Sequence, residues 1–475
     1  METAFQLETA RAVFSWKSFL NLFRHDLPSF SWLQAENLQI MVEKKNEKWW
    51  LAGFLMARDS DDSNFFDWLL SQNHVRFQNL SVQFLENDAP PEFFHNIHFL
   101  MDNERDLHRV QLKAVLPSLF ARRVDLRAEF FGRLAGGTWL NLNNKQSTFY
   151  AHIENANLPK IFSYVDLPND FKFSQGRANL KTWAHFETHY RGNFSAELSV
   201  SDSPITATAT LDGAWHKDEG LWGASFKIAD LNAKNKDLPA LDMRGWEMAY
   251  EKERWDIRAP YIALKTLREY ASRFAFFDDL KNLQFSGDLK NTHLSWFSKN
   301  EFALQTQLQN LSVLKDSAGV ENLSGVLNAT PISASLHLDS QNAALILPMV
   351  FDEPKIPLKV LTGDIFWEKN AEKSTVNLQK ISFSNNDFSD AQFDVLYQHN
   401  GKGRGKINAT GGIAQARGVR VWRYLPKVIH PDVRQWVKNA VQAGTGKNGK
   451  LVLKGDLDKF PFKNDSDGIF KITAQ

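Results

Sequence analysis

The sequence predicts a mostly β protein: a long twisted antiparallel sheet of repeated units, curled into an elongated hydrophobic groove, with a few short helices. Two-residue alternation dominates, and residues 205–211 place apolar side chains on one face and threonines on the other. Turn signals recur about every 8–12 residues, the spacing of all-β proteins, which would give roughly 40 strands. Aromatic residues make up 13% of the 475 residues, enough for large apolar surfaces in a core or in a groove.

The alternating strands supply the candidates for the lining of this groove. Each run has one apolar and one polar side, which is typical of antiparallel strands. The candidates are Val110, Leu112, Phe194, Ala196, Leu198, Val200, Ala207, Ala209, Leu211, Leu336 and Leu338. On periodicity alone, an ordinary core in which sheet packs on sheet is the favoured interpretation of such stripes.

Short internal repeats indicate a sheet built from repeated hairpins. Residues 77–82 (FQNLSV) and 308–313 (LQNLSV) share five identical residues, and their apolar phase slips across Gln-Asn, which predicts a bend between two strands. A Gly-Asp-aliphatic step recurs at positions 287, 363 and 455. Since no Pro/Ser-rich linker interrupts the pattern, residues 1–420 are predicted to form groove units without clear boundaries.

Residues 421–475 are predicted to hold the clearest helix, at about 431–443, followed by further groove strands. Pro431 suits the first helical turn, and Gly444 is the expected residue just after the helix. The predicted apolar face consists of Val433, Trp436, Val437, Ala440 and Val441. The opposite face is polar, so we expect this helix to pack across one edge or mouth of the sheet. Shorter helices are predicted at 67–72 and 266–277.

Motifs for chemistry are weak, and we expect no catalytic residue, no cofactor and no metal site. Residues 444–449 match G-x-G-x-x-G, but they follow a helix and precede a strand, the inverse of the dinucleotide-binding order, so they are interpreted as a turn. His185, Glu187 and His189 alternate along one strand, which is interpreted as a solvated face. The absence of cysteine excludes thiolate sites. Lys and Arg (56) balance Asp and Glu (55), which gives no electrostatic case for nucleic acid.

Motifs scattered over most of the chain resemble the YhdP branch of the AsmA-like envelope proteins. The C-terminal set is the most specific, and residues 150–300 are only compatible with the family. The motifs are residues 49–53 (WWLAG), 67–72 (DWLLSQ), 323–325 (LSG), 344–348 (ALILP), Phe351, 361–367 (LTGDIFW), 424–426 (YLP), 436–437 (WV), Ala440, Gly444, 455–457 (GDL) and 460–462 (FPF).

The resemblance implies long periplasm-spanning proteins of Gram-negative bacteria, tethered to the inner membrane by an N-terminal helix. It implies a β-groove that moves phospholipid between the inner and outer membranes and maintains the outer-membrane barrier. The implied partners are therefore phospholipids and the two membranes, without nucleic acid. Because this chain lacks a membrane helix and is shorter than a full member, we expect a soluble fragment of a longer protein.

Two other functional classes stay open at this point. A structural β-solenoid or adhesin-like envelope scaffold with a dry core would show the same alternation and would bind no lipid. An enzyme that acts on envelope polysaccharide ranks third, because any two carboxylates can meet in space without a recognisable motif. The presence or absence of bound lipid distinguishes a lipid-transfer protein from such a scaffold.

Overall fold

The computed structural model shows a chain made mostly of strands, with a few short helices. It comprises two compact units, Met1–Gly245 with Ala249–Lys252, and Trp246–Met248 with Glu253–Gln475. The described residues are 5–16, 18, 29–45, 48–52, 54–55, 72–86, 90–105, 107–131, 146–162, 175–188, 190–202, 205–235, 238–271, 283–298, 300–464 and 466–475.

The first unit consists of strands with one short helix. The helix α1 (Leu158–Phe162) follows the eleventh strand. The strands are β1 (Phe5–Gln6), β2 (Thr9–Phe14), β3 (Phe30–Glu36), β4 (Gln39–Lys45), β5 (Lys48–Leu51), β6 (Phe54–Leu55), β7 (His74–Glu86), β8 (Glu92–Glu104), β9 (Leu107–Val115), β10 (Arg123–Phe131), β11 (Ser147–Asn157), β12 (Arg177–Thr188), β13 (Arg191–Ser201), β14 (Ile205–Asp218), β15 (Leu221–Asn235) and β16 (Leu238–Asp242).

The division between the units falls within the strand Trp246–Glu251. The second unit also consists mainly of strands. Its helices are α2 (Leu264–Ala271) and α3 (Pro431–Ala440), with 3₁₀ turns at Gly418–Tyr424 and Leu457–Lys459. The strands are β17 (Trp246–Glu251), β18 (Arg254–Ala263), β19 (Gln284–Ser298), β20 (Glu301–Lys315), β21 (Ala318–Ala329), β22 (Ser333–Ile346), β23 (Lys355–Lys369), β24 (Ser374–Ser384), β25 (Phe388–His399), β26 (Lys406–Arg417), β27 (Thr445–Asp456) and β28 (Gly468–Thr473).

Neighbouring strands are mostly antiparallel and consecutive in sequence, from β7 to β16 in the first unit and from β18 to β28 in the second. The exception lies at the start of the chain. Both β3 and β4 run parallel to β7, because the two short strands lie end to end along this one long neighbour. The sheet of the first unit is therefore mixed rather than purely antiparallel.

Many strands bend at a residue in the left-handed backbone conformation. Register shifts accompany several of these residues, which identifies them as β-bulges. Asparagine tolerates this conformation better than most residues do. The mid-strand residues in this conformation have φ between 47° and 57° and are Asn79, Asn96, Asn155, Asn291, Asn310, Asn322, Asn342, Lys380, Asp390 and Asn448.

The two FQNLSV-like repeats are such bulges. Each lies inside a single strand, β7 or β20, so the prediction of a bend between two strands was wrong. The apolar phase slips because the bulged residue takes up one position without contributing to the alternation. Because each such bend was expected to end a strand, the predicted strands were also too short. β20, for example, runs for 15 residues.

The bulges position the hydrophobic core of each unit. The residue after a bulge is generally buried, as are Leu80, Ile97, Ala343, Ile381 and Ala391. In the first unit, Leu80 and Ile97 oppose each other and belong to one core cluster. In the second unit, Ala343 and Ile381 belong to the corresponding cluster. The core therefore lies where the strands bend.

The helix α3 agrees only in part with its prediction. Pro431 occupies its first turn, but the helix ends at Ala440 with Val441 as C-cap, so Gly444 is not the residue that follows the cap. None of its residues is buried, and Trp436 is 67% exposed, so the predicted apolar face is not a packing face at that position. The predicted turn at 444–449 was also wrong, because residues 445–449 belong to β27 and pair with β26.

The two shorter helix predictions have different outcomes. The helix predicted at 266–277 corresponds to α2, which begins two residues earlier and is described as far as Ala271. Residues 272–277 lie outside the described part of the chain. The helix predicted at 67–72 also lies outside it, except for Gln72, which is fully buried.

Residues 418–444, the 418–444 segment, form an excursion between β26 and β27. Its two ends meet, because the Gly418 N–H donates to the Gly444 carbonyl at 2.9 Å. The segment lies along one edge of the sheet, against the connections between β22 and β23 and between β24 and β25. The Lys427 N–H donates to the Val350 carbonyl at 2.7 Å, and Arg423 Nη1 donates to Asp387 Oδ2 at 2.7 Å.

A buried polar cluster fixes the first half of this segment. Asp387 is 5% exposed and accepts hydrogen bonds from Arg423 and, at 3.0 Å, from the Tyr424 hydroxyl. The Tyr424 ring packs on Phe388, with 4.3 Å between ring centroids. Burial raises the pKa of Tyr424 from its ordinary value of 10.0 to about 12, and the hydrogen bond to Asp387 acts in the same direction.

We expect Asn310→Val to lower the free energy of unfolding by about 1–2 kcal/mol, because a branched Cβ fits poorly into the left-handed conformation. Asn310→Gly should cost less, since glycine adopts this conformation freely. Urea unfolding measures both. The matched control is Asn328→Val in the regular part of β21. Equal losses in the two valine variants would show that the bulge conformation is not the cause.

We expect Tyr424→Phe to lower the free energy of unfolding by about 1–3 kcal/mol at neutral pH, because the buried Asp387 loses a donor. The raised pKa adds a pH effect. The stabilisation linked to the Tyr424 proton is complete below about pH 10 and is lost as the pH rises through about 12. The wild-type protein should therefore lose more stability than the variant over this range. Parallel unfolding curves at pH 9 to 12 would contradict this account.

Candidate functional site

The register of the first unit places apolar side chains on one face across many strands. Residues directly opposite each other on paired strands point to the same side of a sheet. One such row runs through β3 and β7 to β15: Leu33, Val75, Met101, Val110, Ala128, Phe149, Ala184, Phe194, Gly213 and Phe226. A second row beside it consists of Ala35, Phe77, Phe99, Leu112, Leu126, Ala151, Thr182, Ala196, Leu211 and Ile228. We call this side the apolar face of the unit.

All of the first-unit candidates from the sequence lie on this face. Val110 and Phe194 belong to the first row. Leu112, Ala196 and Leu211 belong to the second row. Further along the same strands, Leu198 opposes Ala209 and Val200 opposes Ala207. The structure thus brings together residues that lie up to 101 positions apart in the sequence.

The second unit has a corresponding apolar face. One row runs from β18 to β27: Ile257, Leu294, Leu304, Ala329, Ala334, Trp367, Val376, Tyr397, Ile407 and Gly455. The next row runs from β21 to β28: Leu327, Leu336, Ile365, Leu378, Val395, Ala409, Leu453 and Phe470. Leu336 lies in the second row, and Leu338 follows it on the same face, opposite Gly363.

Burial divides the candidates into two groups. Leu338 is 2% exposed and Ala209 is 9% exposed, so both belong to the interior. Leu198, by contrast, is 37% exposed, and most members of the rows are half-buried. The half-buried group offers apolar atoms that a ligand can contact, whereas the buried group stabilises the bend.

The sequence reasoning missed several members of the rows. Met101, Phe149 and Phe226 lie in the first row of the first unit, although no candidate was assigned to β8, β11 or β15. Bulges interrupt the alternation in β8 and β11, and β15 shifts its register against β14. In β8 and β11 the overlooked signal is an asparagine followed by an aliphatic residue, which resets the alternation by one position.

The apolar face of the first unit is long compared with one lipid tail. The first row crosses β3 and β7 to β15, which is about 43 Å at roughly 4.8 Å per strand. Along β13, the face extends from Phe194 to Val200, or about 20 Å at roughly 3.3 Å per residue. These dimensions describe a continuous surface rather than a pocket for a single small ligand.

The opposite face of the first unit is polar. Arg109 Nε donates to Glu129 Oε2 at 2.8 Å, and Arg127 Nη2 donates to Asp125 Oδ2 at 2.7 Å. The hydrogen bonds from Arg127 lower the pKa of Asp125. Arg109, Arg127 and Glu129 border a depression of about 550 Å³ beside the rings of Tyr150 and Trp183, a feature that the sequence did not indicate.

A comparable depression of about 400 Å³ lies on the polar face of the second unit, lined in part by His293, Gln305 and Phe366. Both depressions are lined mainly by residues of the polar face, and residues of the rows, such as Val110 and Leu304, also contribute to their walls. Of the His185, Glu187 and His189 group, His185 lines the first depression, and His189 lies outside the described residues. Among the residues that the structure describes, no three His, Asp or Glu side chains are grouped as metal ligands.

None of the described helices is long and apolar enough to cross a membrane. No solved structure matches the chain. Among curated proteins, the chain is similar to the intermembrane phospholipid transporter YhdP of Escherichia coli strain K12, with 24% identity over 157 residues. This match covers 32% of the present chain and 12% of the Escherichia coli protein. The family model described as YhdP protein matches residues 3–475, nearly the whole chain, and the chain therefore belongs to the YhdP family.

Proposed function

We propose that the apolar face of each unit binds the acyl chains of phospholipids and carries them along its rows, as part of a bridge-like transfer between the inner and outer membranes. The observation that supports this most directly is the continuity of the rows across successive strands. Half-buried apolar side chains such as Leu198 provide the contact surface. The headgroups stay in water at the margins of the face.

The hydrophobic effect explains why such a surface is needed. Each CH₂ group transferred from water to an apolar environment contributes about 0.8 kcal/mol, so two acyl chains of about 16 carbons represent roughly 25 kcal/mol. A phospholipid that left a membrane without cover would meet this barrier in full. A row of apolar side chains lowers this barrier along its whole length. As an acyl chain moves along the row, the contacts that it loses with one side chain are replaced by contacts with the next.

The length of the face favours a track over a single binding site. One leaflet of a bilayer has a hydrocarbon layer of about 15 Å, half of the roughly 30 Å core. The row in the first unit is about 43 Å long. More than one lipid can therefore occupy the face in succession, which suits transfer rather than storage of one ligand.

Membership of the YhdP family and the similarity to an intermembrane phospholipid transporter support the same proposal. We place the activity in the periplasm of the Gram-negative envelope, where it supports the outer-membrane barrier. Transfer along an apolar face makes and breaks no covalent bond, so the proposal assigns no catalytic residue and no cofactor. The rival is a structural scaffold whose apolar face is dry.

Leu198→Asp is expected to reduce the phospholipid that copurifies with the chain several-fold, because a carboxylate on the apolar face repels acyl chains. The matched control is Leu100→Asp. Leu100 has the same 37% exposure, but it opposes Gln111 and so lies on the polar face of the same unit. The control should retain the wild-type amount. Lipid extraction and native mass spectrometry of the purified proteins measure the difference.

The same pair of variants separates transfer from the dry scaffold. In a lipid-binding face, Leu198→Asp changes the melting temperature about as little as Leu100→Asp does, since both side chains are partly solvated. In a dry core, Leu198→Asp unfolds the protein, whereas Leu100→Asp does not. Wild-type protein without phospholipid, purified without detergent from a Gram-negative host, would exclude the proposed function.

A further inference from the structure

Four large apolar side chains are exposed at the place where the 418–444 segment meets the connection between β22 and β23. Met349 is 86% exposed, Trp436 is 67% exposed, and Val428 and Val433 are each 49% exposed. Val433 and Trp436 are three residues apart on α3 and therefore lie on the same side of the helix. We call these four residues the Trp436 patch.

Polar contacts bring the two segments of the patch together. Lys427 donates through its N–H to the Val350 carbonyl at 2.7 Å and through Nζ to the Pro348 carbonyl at 2.8 Å. Met349 lies between Pro348 and Val350 in the sequence, so the hydrogen bonds hold the backbone on both sides of it. On α3, Arg434 Nη1 donates to Asp352 Oδ2 at 2.6 Å. The contacts of Lys427 and Arg434 thus hold the segment and the helix against the connection that carries Met349.

The 418–444 segment that carries most of the patch is basic, although the whole chain has a formal net charge of only +1. The 418–444 segment has one acidic residue, Asp432. Its cations are Arg420, Arg423, Lys427, Arg434 and Lys438. Only two of these five cations form ion pairs with acidic residues outside the segment, among the residues that the structure describes. Arg423 pairs with Glu353 and Asp387, and Arg434 pairs with Asp352.

Three cations are left without a carboxylate among the described residues: Arg420, Lys427 and Lys438. All three side chains are exposed. The Lys438 ammonium lies 4.2 Å from the centre of the Trp422 ring, a contact that keeps its charge at the surface of the helix. The unmatched positive charge therefore lies on the same short segment as the exposed apolar side chains.

We propose that the Trp436 patch docks the second unit on an anionic phospholipid surface. A helix with tryptophan and valine exposed beside lysine and arginine is the combination that binds in the interface of a bilayer. The apolar side chains enter the boundary between headgroups and acyl chains, and the cations contact the lipid phosphates. Unmatched lysines beside the patch favour this occupant over a second protein, because lysine is depleted in the cores of protein interfaces.

This docking goes beyond the proposed transfer, because it uses side chains that do not belong to the rows of the apolar face. It would bring the edge of the sheet against a membrane and leave the face free to bind acyl chains. A loss of docking and a loss of bound lipid are therefore separate results.

Vesicle flotation with the full chain tests the proposal. The probes are vesicles of phosphatidylcholine alone and vesicles in which about a third of the lipid is phosphatidylglycerol. The wild-type protein should float with the anionic vesicles, and raised salt should weaken this binding. Trp436→Ser and the double variant Arg420→Gln/Lys438→Gln should each weaken it about tenfold. Trp222→Ser, at a tryptophan of the first unit that is 50% exposed, is the matched control and should float like the wild type.

Several outcomes would overturn the proposal. The first is that Trp436→Ser floats as well as the wild type, and the second is that the wild type binds neutral and anionic vesicles equally. The third is that the wild type is a dimer which Trp436→Ser converts to a monomer. The last result would assign the patch to a second copy of the chain. Because Trp436 is largely exposed, its variant should keep the wild-type melting temperature, which the same samples check. Copurified phospholipid should be unchanged in Trp436→Ser, whereas Leu198→Asp should lose this lipid and still float.

Discussion

The bulge in the left-handed conformation is the constraint on which the rest of each sheet depends. Its geometry is clearest between β20 and β21, where the Asn310 N–H donates to Ser324 Oγ and the Asn322 N–H donates to Ser312 Oγ, both at 3.1 Å. Both strands have the sequence Asn-Leu-Ser here, and Leu311 opposes Leu323 between the two hydrogen bonds. An N–H group that leaves the ladder would be costly if unpaired in the interior. The serine hydroxyl of the neighbouring strand accepts it, so that the strand can bend without losing a hydrogen bond.

This bend separates the part of the sheet that provides stability from the part that is available for binding. Residues beside the bulges, such as Leu338, Ala343 and Ile381, are buried and pack in one cluster. On the apolar face of the first unit, Leu198 keeps a substantial exposed fraction. The buried residues beside the bulges can therefore stabilise the sheet, while the half-buried apolar side chains of the rows remain accessible to a ligand. A dry scaffold would gain nothing from this exposure, since burial is what stabilises apolar side chains.

The sequence predicted the mostly β fold and the common face of the candidate residues, because alternation is a local property of each strand. It did so best where strands are regular, as at residues 205–211. It failed at the bulges, since an asparagine in a strand carries the same local signal as one in a turn. The parallel pairing of β3 and β4 with β7 was beyond local reasoning. So was the cluster of Asp387 with Arg423, which are 36 positions apart and meet only because an excursion folds back on the sheet. For α3, the periodicity showed which residues form its apolar face. It could not show that Arg434, which pairs with Asp352, is directed at the sheet edge while Trp436 is exposed.

The apolar rows and the basic segment differ in what they can distinguish. Burial of apolar surface is non-directional, so a row of Leu, Val, Ala and Phe side chains favours any acyl chain over water without selecting a headgroup. Selection by headgroup or by membrane requires charges in defined positions, which the rows do not provide. In the second unit, Arg420, Lys427 and Lys438 lie on a segment at the sheet edge, outside the rows. It follows that the identity of the apolar row residues should matter little as long as they stay apolar. Under the proposed docking, the residues at the edge should decide which lipid surface the chain binds.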